Sequence, residues 1–188
     1  MESHVTTVLD RSSGGREAER HAGRRAARRA AAAALGVGIE VVTIESPVDR
    51  APFARMTSTH LEGRPLPVSL SVSHADGVAV AVASTVGPVG ADLEPRLPVP
   101  ASHVRFFLSE GERSATDLSG IVCWTLKEAA WKALGLTRGD PFLSLELQFE
   151  RRALVAVSHG GRRFPVFATL TEPLPGYVLA TVVISGRL

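Results

Sequence analysis

The sequence is poor in lysine, cysteine and aromatic residues. It has one cysteine, Cys123, among 188 residues, and aromatic residues make up 5% of the chain. A single cysteine excludes an internal disulfide and any zinc site built from several cysteines, and its apolar surroundings predict a buried structural thiol. No apolar run approaches the ~20 residues that span a bilayer, and the apolar core of a signal peptide is absent. We therefore expect a cytoplasmic protein.

Charge is small overall and unevenly distributed. The net charge of +2 does not indicate a general polyanion-binding protein. Residues 1–30 carry seven arginines against four acidic residues, a local charge of +3, and the rest of the chain is about neutral. Hydrophobic residues at 45% and charged residues at 21% are ordinary for a globular protein. The length suits one domain, or two small halves that share a core.

Both lysines of the chain lie in one short segment, on either side of an acidic residue. Lys127 and Lys132 flank Glu128, and the other 19 basic side chains are arginine. A helix is predicted from about residue 119 to residue 134. On that helix Trp124, Glu128 and Lys132 are spaced four residues apart and project in roughly the same direction.

A second acidic pair ends an apolar run upstream. The predicted strand 89–94 contains Asp92 and Glu94, which share one face because side chains alternate along a strand. Three carboxylates without a Cys or His cluster favour a hard ion, best Mg²⁺, over zinc. Each feature alone also fits a plain ion pair between Glu128 and Lys132 or a solvated strand end. Their joint occurrence favours a carboxylate metal site beside an ammonium group, which suits a diphosphate substrate.

The coarse secondary structure alternates between one helix and several strands, twice over. Residues 1–14 are expected to be disordered, and the arginine–alanine segment 16–35 is a helix that stops at Gly36. The remaining elements are predicted as strands 37–44, 68–73, 78–83, 89–94, 143–150, 162–171 and 177–184, with a short helix that starts in a capping box at Ser109–Glu112. This order predicts an α+β fold of two similar halves in a pseudo-twofold arrangement, each a long helix packed on a small, mostly antiparallel sheet. The halves are 15–89 and 90–188.

Two further polar residues lie at the end of the first hairpin strand. Ser73 and His74 precede the predicted turn at Asp76-Gly77. A histidine at such a position is usually structural or merely exposed. In the functional interpretation, both side chains donate hydrogen bonds to phosphate oxygens.

Several stretches together resemble the 4′-phosphopantetheinyl transferases, specifically the larger, two-half, surfactin-synthetase-activating type that serves polyketide and nonribosomal peptide synthases. The matching stretches, in the family's order, are Ala22–Arg28, Gly63–Pro65, Ser71–His74, Val89–Glu94, Phe106–Glu110 and Trp124–Lys132. They cover roughly residues 20–136, and the two acidic motifs are specific in combination. Relatives of this type usually have more chain before the arginine helix, so we expect a shortened N-terminal region.

The resemblance implies an activity and a set of residue roles. The family transfers the phosphopantetheine arm of coenzyme A to a serine of an acyl- or peptidyl-carrier protein and releases adenosine 3′,5′-bisphosphate. By motif, Mg²⁺ would be held by Asp92, Glu94 and Glu128, Lys132 would lie beside the diphosphate, and Glu128 or a metal-held water would take the serine proton. The coenzyme A contacts implied by motif are Arg64, Ser73, His74 and Lys132. Two halves in one chain make a monomer sufficient.

Three other functions have some support in the sequence. A Nudix diphosphate hydrolase is rejected, because Arg113 and Ser119 stand where that family's motif needs glycine and glutamate. A relative that binds coenzyme A or a carrier protein without catalysis is the alternative, although all three carboxylates and Lys132 are present. Nucleic-acid binding through the arginine stripe of 16–29 is disfavoured, because the rest of the chain is about neutral and aromatic residues are few.

Overall fold

The computed structural model describes residues 5–12, 14–45, 53–56, 66–137 and 139–185. Within these ranges the chain forms ten strands and four α-helices. The strands are β1 (Val5–Arg11), β2 (Val42–Glu45), β3 (Phe53–Met56), β4 (Ser69–Ala75), β5 (Val78–Ser84), β6 (Val89–Pro95), β7 (Glu146–Glu150), β8 (Ala153–His159), β9 (Arg162–Thr171) and β10 (Tyr177–Ile184). The helices are α1 (Arg16–Leu35), α2 (Ala101–Val104), α3 (Glu110–Ala115) and α4 (Gly120–Ala133). No described helix is long and apolar enough to cross a membrane.

The N-terminal sheet has the strand order β1-β5-β4, and α1 packs on it. The expectation of a disordered segment 1–14 is wrong for its central part, because Val5–Arg11 forms β1. This strand pairs antiparallel with β5 along its whole length. The polar composition of the segment did not predict a strand. Its backbone pairs with the edge of a strand that follows about seventy residues later in the chain, which no local pattern reveals.

Helix α1 confirms the predicted bounds. Alanine and arginine are strong helix formers, and Gly36 ends the helix in the left-handed conformation with φ 66°, which glycine adopts without strain. The alanine face, including Ala22, Ala26 and Ala30, is fully buried. These small side chains let the helix lie close to the sheet, while the arginines face outward.

The C-terminal sheet has the order β6-β10-β9-β8-β7, and α4 packs on β6 and β10. The approach of α4 to β6 is very close at Gly90, where an added Cβ would lie 1.8 Å from the carbonyl oxygen of Ala129. Only glycine fits there. The predicted strand 143–150 is shorter than expected, because Phe142–Ser144 forms a 3₁₀ turn before β7 begins.

Both sheets are antiparallel, and the α+β class is confirmed. One pattern occurs twice along the chain: a strand that precedes a long helix pairs antiparallel with a later strand, β1 with β5 and β6 with β10. The predicted division at residue 89/90 stays a prediction; it falls at the start of β6, which begins at Val89. A two-stranded sheet of β2 and β3 completes the described part.

The two main sheets meet where β4 faces β6. Alternate serine hydroxyls of β4 accept hydrogen bonds from alternate backbone N–H groups of β6. The bonds run from Val89 to Ser69 (3.0 Å), from Ala91 to Ser71 (2.9 Å) and from Leu93 to Ser73 (3.3 Å). The outer edge of β6 is therefore satisfied by side chains instead of another strand. We call this contact the serine ladder.

Candidate functional site

The predicted site residues come from three elements around the serine ladder. Asp92 and Glu94 lie on β6, Glu128 and Lys132 on α4, and Ser73 and His74 on β4. As predicted, Asp92 and Glu94 share a face, the one that Gly90 presents to α4, while Leu93 points into the apolar core between the sheets. Arg64 lies outside the described residues.

The Asp92 carboxylate is buried, with 3% of its surface exposed, and its two oxygens differ in their surroundings. Oδ1 accepts hydrogen bonds from Ser73 Oγ at 2.9 Å and from Lys132 Nζ at 2.8 Å. Oδ2 is buried and has no hydrogen-bond partner within the described part of the chain. A buried acceptor without a partner costs about 1–3 kcal/mol, and more for a charged group. Among the described residues, hydrogen bonds hold Oδ1 and leave Oδ2 without a partner.

Lys132 joins the strand carboxylate to the helix carboxylate. Its Nζ lies 2.8 Å from Asp92 Oδ1 and 3.5 Å from Glu128 Oε1, and it donates to the carbonyl oxygen of Ala91 at 3.3 Å. About a quarter of the side chain, 23%, remains exposed. The ammonium group is therefore anchored at the junction and still reachable by an anionic substrate.

Glu94 and Glu128 share an environment that disfavours their charged forms. Burial raises the pKa of Glu94, the charge of Asp92 raises it further, and a hydrogen bond from Trp124 Nε1 at 3.3 Å opposes this. Burial also raises the pKa of Glu128, against the lowering effect of Lys132. These shifts reflect negative charges crowded in a partly desolvated space. A bound cation relieves such crowding.

The fit of this group to a divalent ion rests on the donor chemistry. Among the described residues, no three His, Cys, Asp or Glu side chains stand together in an arrangement ready to hold a metal. Mg²⁺ takes oxygen ligands and commonly needs only one or two protein carboxylates beside water and substrate phosphate. The unpartnered Oδ2 of Asp92, with Glu128 and Glu94 in the same electrostatic neighbourhood, fits that requirement.

The hydroxyl of Ser73 is engaged by other groups of the protein, and its predicted phosphate contact stays a prediction. It is buried, donates its proton to Asp92 Oδ1, accepts from the N–H of Leu93, and lies 3.4 Å from Lys132 Nζ. A hydroxyl has one donor and two acceptor lone pairs. A phosphate contact would therefore require Ser73 to exchange its hydrogen bond to Asp92.

His74 lies at the outer end of β4, against α1. An added Cβ at Gly23 would lie 2.5 Å from His74 Nε2, so a larger residue there would require the ring to shift. Burial lowers the pKa of His74, and a hydrogen bond with the backbone of Glu19 opposes this. The imidazole contacts α1 and is otherwise exposed.

Sequence reasoning missed the buried pair Lys127–Glu112. Lys127 is 0% exposed, and its Nζ lies 2.8 and 2.9 Å from the two carboxylate oxygens of Glu112. Those oxygens also accept from the backbone N–H groups of Ser109 and Leu147. Burial lowers the pKa of Lys127, and Glu112 opposes the shift. The capping box at Ser109 was visible in the sequence, but its second use, as the partner of a buried lysine, was not.

Comparison with known proteins gives limited overlap. No protein-family model matches the sequence, and no curated protein matches it. Among solved structures, the chain is similar to the crystal structure of Thermotoga maritima holo-(acyl-carrier-protein) synthase, with 26% identity and a TM-score of 0.42, over 54% of this chain and 64% of that one. The overlap thus spans less than two thirds of the synthase, and at this TM-score it assigns no function.

Proposed function

We propose that this protein is a Mg²⁺-dependent 4′-phosphopantetheinyl transferase of the larger, two-half type. The observation that carries the proposal is the buried Oδ2 of Asp92, which has no hydrogen-bond partner among the described residues and lies beside Lys132, which in turn bridges to Glu128. A desolvated carboxylate oxygen next to an anchored ammonium group suits a cation and a diphosphate together. The motif resemblance names the substrate that combines these two features, coenzyme A.

Each residue contributes a distinct part of the reaction. The serine oxygen of the carrier protein attacks the phosphorus that bears the pantetheine arm, and the bond from that phosphorus to the oxygen of adenosine bisphosphate breaks. The Lys132 ammonium group neutralises or protonates the leaving phosphate, which gains negative charge in the transition state. Asp92, Glu94 and Glu128 would hold Mg²⁺, which when bound offsets charge on the diphosphate oxygens.

The serine proton goes to Glu128 or to a water beside it. Without a cation, burial raises the pKa of Glu128, the direction that favours a general base, whereas a bound Mg²⁺ would oppose that shift. At 29% exposure its side chain is accessible from solvent. His74 and Arg64 are the proposed contacts for the phosphates of coenzyme A, with His74 in contact with α1.

The arrangement of the two halves is part of the proposal. The equivalent connectivity of β1, α1 and β5 with β6, α4 and β10 supports a pseudo-twofold relation between them. The site then lies where the halves meet, since Ser73 comes from one half and Asp92 and Lys132 from the other. We further propose that the protein acts as a cytoplasmic monomer on carriers of polyketide or nonribosomal peptide synthesis.

The direct test is an intact-mass measurement. The purified protein is incubated with coenzyme A, Mg²⁺ and a panel of apo-carrier domains, and the carriers are weighed. A phosphopantetheine adduct that disappears with EDTA is expected. Coenzyme A binding without an adduct on any carrier would instead indicate a non-catalytic relative.

A matched pair of variants localises the reaction. Glu128→Gln is expected to abolish the adduct and leave the fold intact, because the amide keeps the shape but loses the charge. Glu150→Gln makes the same substitution at the exposed end of β7 and is expected to react normally. A Glu128→Gln protein with near-normal transfer would remove Glu128 from the site.

A further inference from the structure

We infer that Ser73 is a positioning residue that sets the Asp92 carboxylate for cation binding, and that the serine ladder couples this site to the docking of the two halves. The inference rests on the proposed metal site and deepens it. Ser73 touches neither substrate nor metal in this account. It acts through Asp92.

The contacts of Ser73 separate it from the other serines of the ladder. Ser69 and Ser71 accept from backbone N–H groups of β6, and this is also the first function of Ser73. Ser73 alone also bonds to a carboxylate, donating to Asp92 Oδ1 at 2.9 Å. One hydroxyl therefore ties a backbone group and a site side chain of the same strand to β4.

The direction of this hydrogen bond decides which Asp92 oxygen is free. Ser73 and Lys132 both donate to Oδ1, which fixes the rotation of the carboxylate group. Oδ2 is then left buried and unpartnered. Without the Ser73 hydroxyl, Lys132 remains as a single anchor and the carboxylate is free to rotate. The orientation needed for a cation is then populated for only part of the time, which weakens binding.

The site is also dependent on the contact between the two halves. Ser73 belongs to the N-terminal sheet, whereas Asp92 and Lys132 belong to the C-terminal half. The same hydroxyl that holds β6 against β4 completes the orientation of Asp92. The orientation of Asp92 by Ser73 therefore requires β4 to lie against β6.

The test uses Mn²⁺ as the probe, because its binding to the full chain is read directly by electron paramagnetic resonance without any transfer assay. Ser73→Ala is compared with Ser71→Ala, a matched control in which a buried ladder hydroxyl is lost and no carboxylate contact changes. Ser73→Thr restores a hydroxyl at the same position with a residue that strands accept well. Thermal unfolding of each variant is measured in parallel.

The expected result is a split between affinity and stability. Both variants lower Tm because each loses one ladder bond, and Ser73→Ala lowers it further because the hydrogen bond to Asp92 Oδ1 is lost as well. Only Ser73→Ala weakens Mn²⁺ binding, by roughly 10- to 100-fold, the range found when a group that orients a metal ligand is removed. Ser73→Thr recovers most of the affinity. The Mg²⁺ concentration for half-maximal transfer rises by a similar factor in Ser73→Ala, and the rate at saturating Mg²⁺ recovers.

Two results would overturn the inference alone: unchanged Mn²⁺ affinity in Ser73→Ala, or an equal loss in Ser71→Ala. Failure of the proposed function looks different. If the unsubstituted protein binds Mn²⁺ with the predicted dependence on Ser73 but transfers nothing to any carrier, the positioning role stands and the transferase proposal fails. If the unsubstituted protein binds no Mn²⁺, the metal assignment and the inference both fail.

Discussion

Helix α4 carries two ammonium groups five residues apart, and they differ in whether the carboxylate that faces each of them is fully hydrogen-bonded. Lys127 is fully buried and faces Glu112, whose oxygens are also bonded by two backbone N–H groups. Lys132 is partly exposed and faces Asp92, which keeps one oxygen unpartnered among the described residues. Both carboxylate oxygens of Glu112 are hydrogen-bonded. One oxygen of Asp92 has no partner among the described residues and is available to a bound ligand.

This difference explains why charge alone is a poor guide to a site. Burial perturbs ionisable groups at both pairs, lowering the pKa of Lys127 and raising the pKa of Glu128. Perturbed ionisable groups cluster at functional sites, but structural ion pairs show them too. The hydrogen-bond account distinguishes them, because a saturated network has no capacity left for a ligand. The following predictions test that distinction.

The largest expected effect is on stability, at the Lys127–Glu112 pair. Lys127→Met removes the partner of a buried carboxylate, and breaking one side of a buried pair costs about 3–5 kcal/mol. Urea denaturation measures the free energy of unfolding. Lys132→Met is the matched control, with the same substitution at the other lysine of α4, and a much smaller loss is expected because that side chain is partly exposed. Equal losses of unfolding free energy would show that the Lys127–Glu112 and Asp92–Lys132 pairs contribute equally to stability.

The reverse ranking is expected for activity. Lys132→Met should lower the transfer rate by about 10²–10³-fold, the usual cost of removing one group that stabilises developing charge. The protein should stay folded, since Ser73 still donates to Asp92 Oδ1. Single-turnover transfer, followed by carrier mass, separates the chemical step from coenzyme A binding. A rate within a few-fold of the unsubstituted protein would remove Lys132 from the reaction.

Adding a divalent ion should stabilise the protein through the Asp92–Lys132 pair and not through the Lys127–Glu112 pair. Saturating Mg²⁺ at about 100 times its Kd is expected to raise the free energy of unfolding by about 2.7 kcal/mol. Asp92→Asn should abolish that increase, because the unpartnered Oδ2 loses its charge. Unfolding curves with Mg²⁺ and with EDTA measure the difference. Mg²⁺ stabilisation that persists in Asp92→Asn would place the ion elsewhere.

Sequence patterns predicted α1, α3, α4 and most strands, but not the short helix α2, and failed where a tertiary partner or an unusual turn decided the structure. Helix α1 and strands β9 and β10 match their predicted bounds. Strand β8 was missed because the turn before it is Arg151-Arg152, with Arg151 at φ 58°. That left-handed conformation is normally signalled by glycine or asparagine. Strand β1 was missed because its partner β5 is remote in sequence.

The site was predictable to the level of residue and face, but not of hydrogen bonding. Alternation along β6 predicted that Asp92 and Glu94 share a face, and the helical period related Glu128 to Lys132. The helical period placed Lys132, and not Lys127, beside Glu128, but no local pattern showed that Lys127 is paired with Glu112 of α3. The commitment of the Ser73 hydroxyl to Asp92 likewise depends on the packing of β4 against β6. Such information appears only once the sheets are assembled.

The smallest expected effect concerns the Asp10–Arg25 ion pair near the surface. Its contribution to the free energy of unfolding is expected to be smaller than that of the buried Lys127–Glu112 pair. Arg25 donates to both Asp10 oxygens at 3.0 and 3.1 Å, and this hydrogen bonding lowers the pKa of Asp10 from its ordinary value of 3.8. A lowered carboxylate pKa stabilises the fold above that ordinary value, and the stabilisation is lost as the pH falls through the lowered one. The difference in unfolding free energy between the unsubstituted protein and Asp10→Asn should therefore be small but measurable at neutral pH and vanish in acid. Because the arginine is solvated, high salt should weaken it further. A difference that persists at low pH would mean that Asp10 acts through packing of β1 against α1 instead of through its charge.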